Sequence, residues 1–293
     1  MCYTRIAESV SDAAGGATSA RIWSTRVARK GVFERFASRY ALRVTASELA
    51  RTSGTTVWTW LTTPPPDAAT VDDRRTRTLV GIELPVRASI AVAVTTLVLL
   101  IDFSRILIPS GIAAAGRGPD GLRGVALERI VLLGVVPLLV IVLAMRDRPS
   151  RYGLRLGDAR AGLLLGLAGC ALMTPVVLWF ARLPDVAAYY AVSAGSPIDM
   201  VATYALDLSA AEFLFRGFLM FALLRAVGPI GVLIAVMPFA YAHVGKPALE
   251  LLSTLGGGLA YGWLAWRTRS ILWGAITHVY IMTLVTVAAA APR

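Results

Sequence analysis

The sequence predicts an all-α membrane protein, a polytopic bundle of about seven transmembrane helices. Hydrophobic residues make up 56% of the 293 residues, whereas charged residues make up 16%. Soluble domains carry about 25% charged residues because they need a polar surface. The hydrophobic residues are also gathered into long runs, and a helix crosses a bilayer with about 20 such residues. These features exclude an ordinary soluble globular domain.

Seven apolar stretches are candidate spans, and they divide the chain into a bundle at residues 81–293 and an N-terminal extension at residues 1–80. The fifth and sixth stretches are short for a full span, and the fourth contains Asp207, Glu212 and Arg216. The predicted spans are residues 87–108, 127–145, 161–181, 199–224, 229–246, 249–266 and 270–290.

The N-terminal extension is basic, and two structural interpretations fit it. Phe33, Phe36, Tyr40 and Val44 recur at helical spacing between arginines, which is typical of an interfacial helix on the inner leaflet. A disordered basic tail fits equally well. The chain has a net charge of +11, with basic residues at the ends of apolar runs, and this placement favours anionic lipids over nucleic acid. We therefore expect lipid partners and no nucleic acid.

The arginines also predict an orientation. They cluster before the first span, in the loop at 146–160, and at 267–269, and basic residues concentrate on the cytoplasmic side of membranes. We therefore expect a multi-pass protein of the cell membrane with a cytoplasmic N-terminus and an external C-terminus.

Four ionisable residues inside the last predicted spans are candidates for chemistry. Glu212 and Arg216 are four residues apart, hence on one helix face, and both histidines of the chain, His243 and His278, fall in later spans. Such residues are costly in lipid and tend to face a cavity. We expect Glu212, His243 and His278 to share one pocket.

A carboxylate with two imidazoles suits the activation of water. Glu212 can act as a general base, and neutral imidazoles can bind a divalent metal such as zinc or stabilise an oxyanion. Arg216 would keep Glu212 ionised or neutralise it structurally.

The motifs Ala211-Glu212-Phe213-Leu214-Phe215-Arg216, Phe239-Ala240-Tyr241-Ala242-His243 and His278 resemble those of the CAAX-protease and bacteriocin-processing (CPBP, or Abi) family. That family has EExxxR, FxxxH and HxxxN/D motifs on successive helices, and Tyr152-Gly153-Leu154-Arg155-Leu156-Gly157 is typical of bacterial members. The resemblance covers residues 200–285. It implies a helical bundle around a hydrophilic pocket and an intramembrane endopeptidase, metalloprotease-like or glutamate-dependent, that acts on peptides or membrane proteins.

Two positions depart from the family motifs. Ala211 replaces the first glutamate, the water-activating base of family members, and Met282 replaces the amide or acid of HxxxN/D. Glu212 would then have to act as the base. The run Lys246-Pro247…Glu250 resembles a bacterial subgroup, so Glu250 is a further candidate ligand, although an ion pair with Lys246 explains it as well.

Other interpretations of these residues stay open at this stage. The charged groups could serve packing only. The protein could be an inactive relative that works as a membrane scaffold or bacteriocin-immunity protein, or a proton-coupled transporter.

Overall fold

A computed structural model describes residues 57–65, 75–106 and 118–292. These residues form a helical bundle with a single small β-hairpin, so the all-α membrane fold is confirmed. One compact unit comprises Thr59–Arg293. The predicted interfacial helix at residues 33–44 lies outside the described residues.

Ten helices, numbered here in chain order, and one antiparallel hairpin make up the described chain, with short 3-10 turns between several of them. The hairpin precedes α2 directly and pairs Thr76 with Pro85. The elements are α1 (Val57–Thr62), β1 (Thr76–Leu79), β2 (Ile82–Pro85), α2 (Val86–Ser104), α3 (Pro119–Ala144), α4 (Ala159–Phe180), α5 (Pro184–Tyr190), α6 (Pro197–Glu212), α7 (Phe221–Val227), α8 (Ile230–Tyr241), α9 (Ala248–Thr268) and α10 (Leu272–Ala290). A π-helical segment, Phe213–Met220, joins α6 to α7, and α3 contains π-helical turns at Ile130–Val135 and Val140–Ala144.

Each of the seven predicted spans corresponds to a helical segment, although several boundaries differ. Among the described residues, α2, α3, α4 and α10 are long and apolar enough to cross a membrane, and α8 is a shorter apolar helix. The predicted first span continues to residue 108, whereas α2 ends at Ser104 because Arg105 takes a left-handed conformation. The second span was predicted from residue 127, whereas α3 begins at Pro119, since its first turns are too polar to register as a span.

The bundle exposes many apolar side chains on its outside and buries several charged side chains within its apolar interior. Leu163, Leu167 and Leu172 on α4 are exposed, and only 6% of that span is buried within the protein. Glu212 and Arg216, by contrast, are buried. A soluble protein of this size would hide most such leucines, so the outer surface is suited to lipid.

Helix packing places the π-helical segment in the main apolar core. All eight residues of Phe213–Met220 are buried. Helix α6 packs against α3 and α10, α10 also packs against α4, and α8 packs against α9. The chain before and after Phe213–Met220 is therefore held on several sides.

The Tyr152–Gly157 stretch docks the loop before α4 onto the α9–α10 connection. Gly153 and Gly157 have φ of +80° and +60°. A Cβ on Gly157 would collide with the carbonyl oxygen of Thr268, so only glycine fits this close approach. The indole nitrogen of Trp273 donates to the carbonyl of Leu156 at 3.0 Å and closes the contact from the α10 side.

Arg267, near the end of α9, connects three parts of the chain. Its guanidinium is 3% exposed and donates to the carbonyl oxygens of Leu61 at 2.8 Å and Trp60 at 2.7 Å, and to the Asp158 carboxylate at 2.9 Å. Asp158 also caps α4 by accepting from the amide of Ala161. Helix α1 is thereby tied to the bundle.

We expect Gly162→Ala to lower the stability of the bundle by about 1–3 kcal/mol, a typical cost of overpacking. A Cβ on Gly162 would collide with the Trp273 indole, and that ring cannot move away without losing its hydrogen bond to the carbonyl of Leu156. Thermal unfolding of the purified protein in detergent measures the change.

Gly256→Ala is the matched control, because Gly256 also lies inside a helix and has nothing within 4 Å of its Cβ position. That variant should be neutral or slightly stabilised. Equal unfolding midpoints for the two alanine variants would contradict the packing we describe.

Candidate active site in the bundle interior

The candidate motif lies where α6 turns into the π-helical segment. Glu212 is the last residue of α6, and Arg216 lies within Phe213–Met220. Such π-helical turns are uncommon and often occur at functional sites. Glu212 and Arg216 remain on one face, and Nη1 of Arg216 donates to Oε1 of Glu212 at 3.1 Å, so the predicted ion pair is formed.

The Glu212 carboxylate also holds His278. Nδ1 of His278 lies 2.9 Å from the same Oε1, in a contact that bridges 66 residues of sequence. The side chain of Glu212 is 1% exposed and that of Arg216 is 3% exposed. One carboxylate thus joins α6 to α10 in the interior of the bundle.

Aromatic rings fix the two imidazoles. His278 stacks on Tyr261 of α9 with centroids 5.0 Å apart. Phe239 of α8 contacts His243 at 4.6 Å and His278 at 6.3 Å between ring centroids. The Arg216 guanidinium lies 3.8 Å from the centroid of the same Phe239 ring. Both histidines therefore neighbour one phenylalanine and have little freedom to rotate.

The hydrogen bonds indicate which ring nitrogens carry protons. Nδ1 of His243 lies 2.8 Å from the carbonyl oxygen of Phe239, which can only accept, so Nδ1 must donate. The Glu212 carboxylate already accepts from Arg216, and Nδ1 of His278 is then its second donor. In both neutral rings Nε2 is left with a lone pair.

An interior cavity of about 380 Å³ lies against these residues. Of the predicted site residues, His243 and His278 line it, whereas Glu212 and Arg216 do not. Glu212 is hydrogen-bonded to His278, which separates it from the cavity. The predicted shared pocket is therefore formed by the two imidazoles, and Glu212 lies behind one of them. The altered motif positions, Ala211 and Met282, also line this cavity.

Glu250 has structural partners at one side of this cavity. The hydroxyl of Tyr190 on α5 donates to both carboxylate oxygens at 2.6 Å, and Nζ of Lys246 lies 2.7 Å from Oε1. Burial, together with the nearby Glu250 carboxylate, raises the pKa of Tyr190 well above its ordinary value, so the phenol stays protonated. The ion pair with Lys246 is confirmed, and Tyr190 is a partner that the motif comparison missed.

Sequence reasoning also missed a charged network on another wall of the cavity. Arg129 of α3 donates to Asp102 of α2 and to Asp207 of α6, and Arg105 donates to Asp102 and Glu128. We call these five residues the wall network. The signal was present, because all five fall within predicted spans, where ionisable residues are rare.

Few side chains at the cavity are available to bind a metal ion. Among the described residues no group of three or more His, Cys, Asp or Glu side chains could hold a metal ion. Catalytic zinc normally takes three protein ligands. His243 and His278 offer two Nε2 atoms, and Glu250 is occupied by Tyr190 and Lys246. These residues do not fit a catalytic zinc held by the protein.

Comparison with known families agrees with the motif resemblance. Residues 193–284 match the family described as type II CAAX prenyl endopeptidase Rce1-like. Over this segment, about a third of the chain, the match supports the resemblance to the CPBP, or CAAX-protease, family. The CAAX-protease-like segment runs from the turn before α6 into α10, so it contains Glu212, Arg216 and both histidines. No curated protein and no solved structure matches the chain.

The tautomers can be tested directly because the chain has two histidines. We expect nitrogen NMR of the protein labelled with ¹⁵N-histidine to show both neutral rings protonated at Nδ1, given the acceptors of the two Nδ1 atoms. His243→Asn assigns the signals by removing one set. A neutral His278 ring protonated at Nε2 would contradict its bond to Glu212.

Proposed function

We propose that this protein is an intramembrane endopeptidase that hydrolyses peptide bonds in the interior cavity. The observation that carries the proposal is the Glu212–His278 pair, in which a buried carboxylate holds an imidazole at the cavity wall. His243 lies beside it across Phe239. A base, an orienting group and a second imidazole then surround a space that can admit a peptide and water.

His278 is the base in this proposal. Its Nε2 takes a proton from water while the water oxygen attacks the peptide carbonyl carbon. When the carbon–nitrogen bond breaks, the same nitrogen returns the proton to the leaving amine. His243 presents its Nε2 lone pair to the cavity, where it can accept a hydrogen bond from the attacking water or a substrate amide.

Glu212 acts through His278 rather than on water. From the sequence we expected Glu212 to be the base, but its carboxylate does not line the cavity and has two donors, Arg216 and His278. A carboxylate in this position holds the tautomer and stabilises the imidazolium that forms when the ring accepts a proton. Glu212 and Arg216 are therefore positioning residues.

The substrates that fit are peptides or membrane-protein segments delivered within the bilayer. The outward-facing leucines and the inward charges support a multi-pass protein of the cell membrane in contact with lipid. The arginine distribution supports a cytoplasmic N-terminus.

A second candidate function is a catalytically inactive scaffold or immunity protein. It is favoured by one observation, that Ala211 and Met282 both face the cavity in place of the polar residues of the family motifs. Such a protein would bind a membrane peptide without cutting it.

We expect Glu212→Gln to lower the rate of peptide cleavage by about 10²–10⁴-fold, because the base His278 loses the carboxylate that holds its tautomer and stabilises its protonated form, and His278→Ala to lose at least as much. The loss should fall on kcat with KM little changed, and Glu212→Asp should keep part of the activity. Cleavage of candidate membrane peptides by the purified protein in detergent, with and without a chelator, gives these values.

Three further outcomes bear on the two candidate functions. Ala211→Glu adds a carboxylate to the cavity wall and should raise cleavage in both the wild-type and the Glu212→Gln background. Undiminished cleavage by Glu212→Gln would remove the positioning role. Peptide binding without cleavage in every variant would favour the scaffold.

The orientation can be tested with single cysteines, after Cys2 and Cys170 have been replaced. Ser150, in the loop before α4, and Val192, after α5, are both exposed. We expect Ser150→Cys to react with a membrane-impermeant thiol reagent only after the cells are opened, and Val192→Cys to react in intact cells. The opposite pattern would reverse the topology.

A further inference from the structure

The proposed hydrolysis needs a hydrogen-bond donor that the two imidazoles do not supply. When water attacks the peptide carbonyl carbon, an electron pair moves onto the carbonyl oxygen, and this oxyanion is stabilised by donors aimed at it. Nδ1 of each neutral ring donates to a protein oxygen, the Phe239 carbonyl or the Glu212 carboxylate, so each Nε2 has a lone pair and no proton. The proton that His278 then takes from water is needed by the leaving amine. The donor for the oxyanion is therefore a different group.

The family motif supplies no such donor in this chain. Met282 stands where the motif has an amide or acid, and its thioether lines the cavity without a proton to donate. Arg105 and Arg129 also line the cavity, but their guanidiniums donate to the carboxylates of the wall network. The donor has to be sought on the side of the cavity that carries the histidines.

Lys246 is a cation close to His243 on that side. It lies in the turn between α8 and α9, where Gly245 has φ of +91° and the amide of Lys246 donates to the carbonyl of His243 at 3.1 Å. The side chains of Lys246 and His243 both line the cavity. The turn therefore presents an ammonium and an imidazole to the same space.

The ammonium of Lys246 is held by two neighbours and keeps a proton for the cavity. Nζ lies 2.7 Å from Oε1 of Glu250 and 3.5 Å from the hydroxyl oxygen of Tyr190. An ammonium has three protons, and these two contacts use at most two of them among the described residues. The side chain of Lys246 is 23% exposed, so the group is not sealed off by its partners. It is oriented and still able to donate.

We propose that Lys246 donates the hydrogen bond that stabilises the oxyanion. The proposal rests on the proposed peptidase function and adds a catalytic residue to its site. As the water oxygen bonds to the carbonyl carbon, an N–H of Nζ donates to the oxygen that receives the electron pair. The pair returns to form the carbonyl again when the carbon–nitrogen bond breaks, and Lys246 keeps its protons throughout. Glu250 and Tyr190 are positioning residues, because they act through the ammonium.

The kinetic test compares proteins that differ only at position 246. Glu250→Gln removes the ion pair but keeps the ammonium, and the double variant Lys246→Met with Glu250→Gln removes the ammonium without leaving a buried carboxylate unpaired. We expect the double variant to have a kcat lower than that of Glu250→Gln by about 10²–10³-fold, the effect of losing one oxyanion donor, with KM little changed. Lys246→Arg alone keeps a charged donor and should retain part of the activity.

A binding test measures the same interaction without any cleavage. The probes are two blocked leucine dipeptides, whose apolar side chains suit a cavity lined in part by leucines. In one the peptide bond is replaced by a phosphinate, a tetrahedral anion, and in the other by a neutral ketomethylene group. We expect the wild-type protein in lipid nanodiscs to bind the phosphinate more tightly. Lys246→Met should lower that preference by about tenfold or more, whereas Glu250→Gln should keep it.

The outcomes distinguish this role from the peptidase function. Equal kcat in Glu250→Gln and in the double variant would overturn the role of Lys246 and leave the peptidase function standing. A wild-type protein that does not prefer the phosphinate, or a preference that survives in Lys246→Met, would overturn it as well. A preference lost only with Lys246, in a protein that cleaves no peptide, would support the donor and remove the peptidase function.

Discussion

A carboxylate inside a helical bundle surrounded by lipid is stable only if cations and hydrogen bonds replace the water it has lost. Glu212 meets that condition with Arg216 on its own helix segment and His278 on α10. The bond to His278 makes the positions of α6 and α10 depend on each other, and Arg216 donates to the same carboxylate oxygen. The orientation of His278, and with it the chemistry available in the cavity, depends on this one carboxylate.

The same condition explains the general arrangement of the protein. Lipid accepts leucines on the outside of α4, and within the apolar interior the bundle also holds charged pairs and a cavity. These pairs occur at several places, around Glu212, around Glu250 and in the wall network. In each place a polar contact reaches a second helix, from Glu212 to His278, from Glu250 to Tyr190 and from Arg129 to Asp102 and Asp207, so polar contacts help to hold the helices together beside apolar packing.

Local spacing predicted much of this site, and long-range contacts account for what it missed. The four-residue spacing of Glu212 and Arg216 was sufficient to predict their ion pair, and the family motifs identified the segment that the family match confirms. The bond from Glu212 to His278 depends on how two helices are rotated about their axes, which hydropathy does not report. The residues of the wall network lie in three different predicted spans, and hydropathy does not report that these spans bring them together.

Arg267 illustrates a different kind of contact. It holds α1 through the carbonyl oxygens of Trp60 and Leu61, and a main-chain carbonyl is the same for almost every amino acid. These two hydrogen bonds consequently depend on the path of the backbone, and the Trp60 ring, whose centroid lies 5.5 Å from the guanidinium, adds one side-chain contact. During evolution the residues of α1 other than Trp60 can change while the two carbonyl contacts persist, whereas a change at position 267 would remove both hydrogen bonds at once.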